Sequence, residues 1–394
     1  MFIRLITILF RSYKRAYPFN MRLVHGDESR KVLVLYTGGT IGMMRNVDGV
    51  YSPAPNAFKQ KIHSLPELHD EFLAKKLYDG NVPEGHYVVN GAPSTKNVIT
   101  YMIKEYNPLL DSSNMSIDDW TRIATDIYQS YHDYDSFVVL HGTDTLSYTA
   151  SALSFILEGL NKTVVVTGSQ IPIFEQRSDA KDNFHSALVF AACYNIPEVC
   201  VCFANQLFRG NRTLKSSSNM LNAFSSPNYP CLGKVGISYK VHKEYILKPE
   251  YSNFDLKLHN TMNHNVGILN IFPTITATML EGFLGSTPRM EGVIFQSYGI
   301  GNIPTANEDL MDVLRCAVQN GVIIVNVTQC IQGTVAATYE TGKALEEIGI
   351  IPGYDMTCTA ALAKLSYVLG LKHLTLPEKK KLMTTNLRGE LTPH

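Results

Sequence analysis

Short apolar runs that end in loops of glycine and threonine constrain the fold of this chain most strongly. A continuous apolar run is typical of a strand that is buried on both faces of a parallel sheet, and glycine directly after it lets the backbone turn sharply. The chain contains three such units: Lys31–Tyr36 before TGGT (37–40), Phe137–Leu140 before HGTD (141–144) and Thr163–Val166 before TGSQ (167–170).

Stretches with helical periodicity follow these runs, as Leu146–Leu157 follows the second one. Strands that alternate with helices predict a doubly wound α/β sheet, in which ligands bind at the carboxyl ends of the strands. The length of 394 residues favours two domains over one. We predict an α/β protein with a larger N-terminal domain, built on a doubly wound and mostly parallel sheet, and a smaller C-terminal flavodoxin-like α/β domain.

The regular pattern is lost between residues 244 and 265, where several asparagines, Pro249 and Ser252 occur. We predict an N-terminal extension at residues 1–28, a catalytic domain at residues 29–243, a linker at residues 244–265 and a C-terminal domain at residues 266–394. Strands of the C-terminal domain are expected at Val266–Ile271, Gly292–Phe295 and Val322–Val327, with helices near Asn307–Gln319 and Thr357–Leu369.

The balance of charge argues against a polyanionic partner. Lysine and arginine total 35, as do aspartate and glutamate, so no long-range field of either sign would gather nucleic acid or an anionic membrane. A small-molecule substrate suits this balance better. The seven cysteines are scattered and form no CxxC pair, which favours buried free thiols in a reducing, cytoplasmic compartment.

The first twenty residues hold four basic residues and no acidic one. They are consistent with a plain extension, a mitochondrial presequence or a weak signal anchor, and the apolar run is too short to span a bilayer. We expect that removal of residues 1–28 leaves activity intact. No other apolar stretch approaches the length of a transmembrane helix.

The polar loops have both structural and chemical interpretations. TGGT fits neither a dinucleotide-binding nor a phosphate-binding pattern, so it is either a tight turn or a loop that presents the Thr40 hydroxyl. In HGTD, Thr143 or Asp144 could cap the following helix or act in catalysis. Asp111-Ser112-Ser113 could likewise be a capping segment, and Lys215 lies in a polar stretch after an apolar strand. Neither HExxH nor GxSxG occurs, so we predict no metal and no cofactor.

Two segments together resemble a known family. YTGGTIGM (36–43) and VVLHGTDTLSYTASALSF (138–155) are similar to the two signature segments of L-asparaginases. The resemblance continues through VVVTGSQIPIFEQRSDAKDNFHSAL (164–188), FRGNRTLKSSS (208–218), SYGIGNIP (297–304), NVTQC (326–330) and NLRGELTPH (386–394). The SQIP and RGNRT forms resemble the bacterial cytoplasmic type, type I, which implies hydrolysis of L-asparagine to aspartate and ammonia.

The resemblance also implies the roles of individual residues. They are Thr40 as the nucleophile that forms an acyl-enzyme ester, Tyr51 as the group that serves it, Thr143 as the second catalytic threonine, Lys215 as its partner, Asp144 as the carboxylate that receives the substrate ammonium, Ser112 with Asp111 and Ser113 as the segment that holds the substrate carboxylate, and Asn302 as a residue supplied by a neighbouring subunit. A homodimer or homotetramer is implied by this last role.

Some features depart from the family pattern or leave alternatives open. The loop that leads to Tyr51 is one residue longer than in bacterial members, and it is predicted to be a mobile lid. Cys330 is present, but Gln296 replaces the arginine that accompanies it in allosterically activated members, which puts allosteric regulation in doubt. The alternatives are a glutamine-preferring amidohydrolase, an ammonia-producing amidotransferase subunit and a non-catalytic sensing module.

Overall fold

The computed structural model describes residues 29–93, 97–248, 255–286, 288–336 and 340–393. The predictions for residues 1–28 and for residues 249–254 of the proposed linker therefore lie outside the described residues.

The strands are β1 Ser29–Gly38, β2 Met43–Arg45, β3 Tyr51–Pro53, β4 His86–Asn90, β5 Val98–Leu110, β6 Ser136–Leu140, β7 Leu157–Glu158, β8 Val164–Thr167, β9 Val199–Phe203, β10 Gln206–Arg209, β11 Leu214–Lys215, β12 Phe224–Ser225, β13 Gly233–Val235, β14 Tyr239–Val241, β15 Lys257–Leu258, β16 Val266–Asn270, β17 Gly292–Ser297, β18 Ile323–Thr328 and β19 Ile351–Pro352. The helices are α1 Ala57–His63, α2 Glu71–Leu77, α3 Ile117–Gln129, α4 Leu146–Ile156, α5 Ala180–Cys193, α6 Ala277–Leu284, α7 Glu308–Gln319, α8 Glu340–Glu347, α9 Cys358–Gly370 and α10 Leu376–Thr384.

The larger domain is built on a nine-stranded sheet in the order β14-β13-β10-β9-β8-β6-β1-β5-β4. Its centre, from β9 to β5, is parallel, whereas the strands added at both edges are antiparallel. The three apolar runs of the sequence are the central neighbours β1, β6 and β8. Their polar loops consequently emerge at one edge of the sheet, as parallel strands require.

Helices cover both faces of this sheet, which explains why its central strands are continuously apolar. Successive side chains of a strand point to opposite faces. Leu33 and Leu35 of β1 pack with α3 and α4, whereas Val32 and Val34 pack with α1 and α5. The predicted doubly wound fold is thereby confirmed.

The smaller domain contains a four-stranded parallel sheet in the order β16-β17-β18-β19. Helices α6 and α7 cover one face, while α9 covers the other face and packs against α4 of the larger domain. The strands and helices expected from the sequence in this domain are present, with ends that differ by one or two residues.

The segment proposed as an irregular linker is partly structured. Lys243–Tyr245 forms a 3-10 helix, and β15 pairs with β7 of the larger domain, where Lys257 lies opposite Glu158. This short pairing was not visible in the sequence, because two residues cannot establish an alternating pattern.

All seven cysteines are free thiols, but burial is less general than expected. Cys200 and Cys202 are buried in β9, whereas Cys316 and Cys330 are exposed. Within the described ranges, no helix is long and apolar enough to cross a membrane. The described part of the chain also holds no cluster of three or more side chains suited to a metal ion.

Candidate active site

Three polar loops, namely TGGT, HGTD and Asp111–Ser113, meet at the edge of the large sheet. A methyl group added at Gly39 would lie 2.3 Å from the Cα atom of Gly142, and one added at Gly142 would lie 2.4 Å from the hydroxyl oxygen of Ser112. The TGGT, HGTD and Asp111–Ser113 segments therefore contact each other through positions where only glycine fits.

Thr40 stands at the start of a short 3-10 helix, Thr40–Gly42. Gly39 before it has φ 86° and ψ 176°, a conformation that L side chains rarely adopt, and this turn directs the chain out of β1. The Thr40 residue is partly buried, and its hydroxyl makes no hydrogen bond within the described part of the chain. It is thus available to a bound molecule.

A compact polar cluster joins the HGTD loop to strand β11. The Lys215 ammonium donates hydrogen bonds to the Thr143 hydroxyl at 2.9 Å and to the Asp144 carboxylate at 2.7 Å. Thr143 is 6% exposed, and the side chains of Lys215 and Asp144 are 19% and 64% exposed. A hydroxyl, a cation and a carboxylate are therefore held within contact of one another at a partly open surface.

The capping interpretation of this loop is wrong. The N-cap of α4 is Thr145, not Thr143 or Asp144, and the Thr145 hydroxyl donates to the backbone carbonyl of Ser112 at 2.7 Å. Thr143 and Asp144 are consequently free of a capping role, and Thr145 ties the HGTD loop to the Asp111–Ser113 segment.

The Asp111–Ser113 segment has its own local cap. The Asp111 carboxylate accepts from the backbone N–H of Ser113 at 3.1 Å and begins a 3-10 helix, while α3 is capped separately by Ser116 and Asp119. Asp111 and Ser113 are exposed, whereas Ser112 is 3% exposed. Ser112 is buried because it packs against the HGTD loop, through Gly142 and Thr145.

Tyr51 lies on a hairpin formed by β2 and β3, and its partners are not those predicted. Its hydroxyl donates to Glu175 at 2.8 Å and accepts from Arg45 at 2.7 Å, and Arg45 also pairs with Glu175 at 2.9 Å. The hydrogen bond to Glu175 is the main cause that raises the pKa of Tyr51. In this structure no hydrogen bond joins Tyr51 to Thr40 within the described residues.

Arg45 and Glu175 are contacts of Tyr51 that were not predicted from the sequence. Glu175 lies in the quoted segment 164–188, but nothing in its spacing shows that it reaches a tyrosine 124 residues away. Arg45 faces Tyr51 across the β2–β3 pair, a register that a hairpin prediction would have revealed.

Asn302 belongs to the smaller domain. Its backbone N–H donates to the Tyr298 carbonyl at 2.8 Å in the turn that follows β17. The cluster of Thr143, Asp144 and Lys215, by contrast, is built entirely from loops and strands of the larger domain.

The sequence of the described domains matches two family profiles. One, described as Asparaginase, N-terminal, covers residues 31–247, and the other, described as Glutaminase/Asparaginase C-terminal domain, covers residues 265–383. The chain belongs to the asparaginase family.

Relatives within and near this family are similar over most of the chain. An L-asparaginase of Dirofilaria immitis is 46% identical over 366 residues, which are 93% of this chain and 61% of that protein. A 60 kDa lysophospholipase of Mus musculus is 44% identical and matches 92% of this chain and 63% of that protein. L-asparaginase 1 of Escherichia coli is 41% identical, with coverage of 93% and 99%.

The asparaginase fold is also found in solved structures. L-asparaginase I of Vibrio cholerae superimposes with a TM-score of 0.78 at 40% identity and covers 93% of this chain and all of that one. The chain spans about three fifths of the length of the first two curated relatives, whereas it spans nearly all of the bacterial ones.

His141 has a structural role in this asparaginase-family site. Its Nδ1 lies 2.6 Å from the Gly142 carbonyl, which can only accept, so Nδ1 carries the proton and Nε2 accepts from the Thr149 hydroxyl at 2.8 Å. Burial lowers the pKa of His141 to about 4. The imidazole is therefore neutral at pH 7, and its two hydrogen bonds fix the HGTD loop.

Proposed function

We propose that the chain hydrolyses the side-chain amide of L-asparagine to L-aspartate and ammonia. The observation that carries this proposal is the contact of Lys215 with both Thr143 and Asp144, set against the Thr40 loop through Gly39 and Gly142. Two of the relatives, those of Dirofilaria immitis and Escherichia coli, bear the name L-asparaginase, which supports the same substrate.

Thr40 is proposed to be the nucleophile. Its oxygen bonds to the amide carbon, the carbon–nitrogen bond breaks, and the nitrogen leaves as ammonia after taking up a proton. Water then attacks the resulting ester and releases aspartate and the free hydroxyl. A threonine hydroxyl is a weak nucleophile at neutral pH, so an adjacent group must accept its proton. Tyr51 and the Thr143–Lys215 pair are the two relays proposed for this task.

Asp144 and Ser112 are proposed to hold the zwitterionic head of the substrate. The exposed Asp144 carboxylate can accept from several donors, so it can receive the substrate ammonium while it remains bonded to Lys215. Asp111 and Ser113 extend the segment that would bind the substrate carboxylate. Fixing the head group places an amide one carbon from Cα near Thr40, which favours asparagine over glutamine.

Backbone N–H groups near Gly39 and Thr143 are proposed to stabilise the oxyanion of the tetrahedral intermediate, because donors fixed in advance cost no reorganisation in the transition state. The mechanism needs neither metal nor cofactor.

A homodimer or homotetramer is proposed, in which Asn302 of one subunit completes the site of its neighbour. A cytoplasmic location is proposed, since all seven cysteines are free thiols.

Ammonia release from purified protein tests the proposal. L-Asparagine and L-glutamine are compared as substrates for the wild type, Thr40→Ala and Thr143→Ala. Thr125→Ala is the matched control, since the Thr125 hydroxyl bonds only to the backbone of α3 in the described structure. We expect asparagine turnover in the wild type and the control, and its loss in both site variants.

Other outcomes identify other functions. A preference for glutamine would indicate the glutamine-preferring amidohydrolase. Absence of turnover of either amide would contradict the proposal and favour an amidotransferase subunit or a sensing module. Hydrolysis of lysophosphatidylcholine is measured in parallel, because the mouse relative is named a lysophospholipase.

A further inference from the structure

We propose that Asp355, a residue of the smaller domain, positions Lys215. Lys215 lies in the two-stranded sheet of β11 and β12, and Asp355 anchors the segments next to both strands. The inference rests on the proposed function, since it assigns Lys215 a part in the reaction. It adds a residue that lies outside the three polar loops and that no motif of the sequence indicated.

The first anchor is Arg212, three residues before Lys215. The Arg212 side chain is 1% exposed, and its guanidinium donates to the Asp355 carboxylate at 2.8 Å and to the Gly389 carbonyl at 2.7 Å. Removal of one partner of a buried ion pair strongly destabilises the folded protein, because it leaves the other charge buried and uncompensated. The chain that enters β11 is therefore held by the smaller domain and the C-terminal segment.

The second anchor is Asn228, which follows the partner strand β12. Its side-chain amide donates to the backbone carbonyl of Asp355 at 3.0 Å and to that of Gly333 at 2.9 Å. It also accepts from the Gly333 N–H at 3.0 Å. Arg212 thus binds the side chain of Asp355, and Asn228 binds its backbone. The segments next to both strands are therefore anchored to the same residue.

Asp355 itself is fixed by the C-terminal segment. Thr392 donates to its carboxylate through both the backbone N–H, at 2.9 Å, and the hydroxyl. Burial alone would raise the pKa of Asp355, but the hydrogen bonds from Thr392 and Arg212 outweigh burial and lower that pKa. The carboxylate is consequently ionised at neutral pH and matches the charge of Arg212.

These anchors matter because the strands that carry Lys215 are very short. Leu214 pairs with Ser225 and Lys215 with Phe224, and the ladder ends there. Two residue pairs alone fix a side chain poorly. The 2.9 Å contact between Lys215 and Thr143 therefore depends on tertiary support, and displacement of a catalytic group by about 1 Å can cost roughly 100-fold in rate.

Asp355→Asn removes the charge, retains the volume and leaves the backbone bond to Asn228. Glu158→Gln is the matched control, because Glu158 is also a carboxylate that joins separate segments, through His259 and Arg388, yet forms no hydrogen bond with Arg212 or Lys215 in the described part of the chain. Two readouts are measured for each variant: kcat and KM for asparagine, and the rate of acetylation of Lys215 by trace acetic anhydride, followed by peptide mass spectrometry.

We expect Asp355→Asn to lower kcat by about tenfold with little change in KM, and to raise the acetylation rate of Lys215 severalfold. The control should change neither readout. Equal losses of kcat in both variants, or an unchanged acetylation rate in Asp355→Asn, would overturn the proposal.

Two further arms keep the test decisive. If Asp355→Asn does not fold, Asn228→Ala is tested instead. Asn228 is partly exposed, so its replacement removes the second anchor at a smaller risk to folding. Unchanged kcat and an unchanged acetylation rate of Lys215 in that variant would overturn the proposal. If the wild type releases no ammonia, the proposed function fails, but the acetylation rates still decide whether Asp355 positions Lys215.

Discussion

The ammonium nitrogen of Lys215 lies 2.9 Å from the hydroxyl oxygen of Thr143, although 72 residues separate them in the sequence. The contact joins the carboxyl end of β6 to a two-residue strand held by the smaller domain. If Asp355 positions Lys215 as proposed, the site depends on both domains, even though the side chains in contact belong to the larger one.

Replacement of Lys215 by methionine should lower kcat for asparagine by about 100-fold, because the proposed relay loses the amine that, in its neutral form, would accept a proton through the Thr143 hydroxyl. The free energy of unfolding should change little, since the lysine is bonded to an exposed carboxylate. Steady-state kinetics and urea denaturation measure the two effects. Lys257→Met is the control, because Lys257 pairs with Glu158 between β15 and β7, and kcat should remain as in the wild type. An unchanged kcat in Lys215→Met would contradict the relay.

Replacement of Gly142 by alanine should weaken substrate binding. The added methyl group would lie 2.4 Å from the Ser112 hydroxyl oxygen, so the loops must separate, at a typical cost of about 1 to 3 kcal/mol. Calorimetric titration with L-aspartate is the measurement, and a higher Kd is expected. Gly236→Ala is the control, because nothing lies within 4 Å of its added methyl group. Equal affinities in the two variants would show that contact between the loops does not shape the site.

Glu175→Gln and Tyr51→Phe should each lower kcat by about tenfold, and their combination should lower it no further. Groups that act as one unit show such non-additivity. The physical reason is the 2.8 Å hydrogen bond from Tyr51 to Glu175, which orients the phenol. Tyr128→Phe alters an exposed tyrosine on α3 and serves as the control. Additive losses would indicate that the two residues act independently.

Stability should fall between pH 7 and pH 5 because of His141. Burial lowers its pKa from 6.5 to about 4, so the unfolded state binds more protons than the folded state in this window, and the free energy of unfolding decreases as pH falls. The expected contribution is roughly 2 kcal/mol. Urea denaturation of the wild type and of His141→Gln at both pH values measures it. An identical pH dependence in the two proteins would refute the assignment.

Much of the fold could be predicted from the sequence because it is encoded locally. The apolar runs that became β1, β6 and β8 are continuous, and burial on both faces of a parallel sheet produces that pattern directly. The helix Leu146–Ile156 and the strands of the smaller domain were likewise visible from periodicity. The capping assignment was wrong by one or two residues, since Thr143, Asp144 and Thr145 are all able to cap and only backbone geometry distinguishes them.

Partners that are distant in the sequence could not be predicted in this way. The bond from Tyr51 to Glu175 and the ion pair of Arg212 with Asp355 join segments that are 124 and 143 residues apart. The pattern of residues within one segment carries no information about which distant segment it will contact.

The α/β architecture, the glycine loops at the strand ends and the residue types available for chemistry are encoded locally in the amino-acid sequence. Each of these follows from side-chain volume, polarity and backbone freedom over a few neighbouring residues. Which of those residues contact each other depends on the folded chain as a whole. Lys215 meets Thr143 across 72 residues of sequence, and the packing that brings such distant segments together is the sum of many weak contacts that no short segment contains.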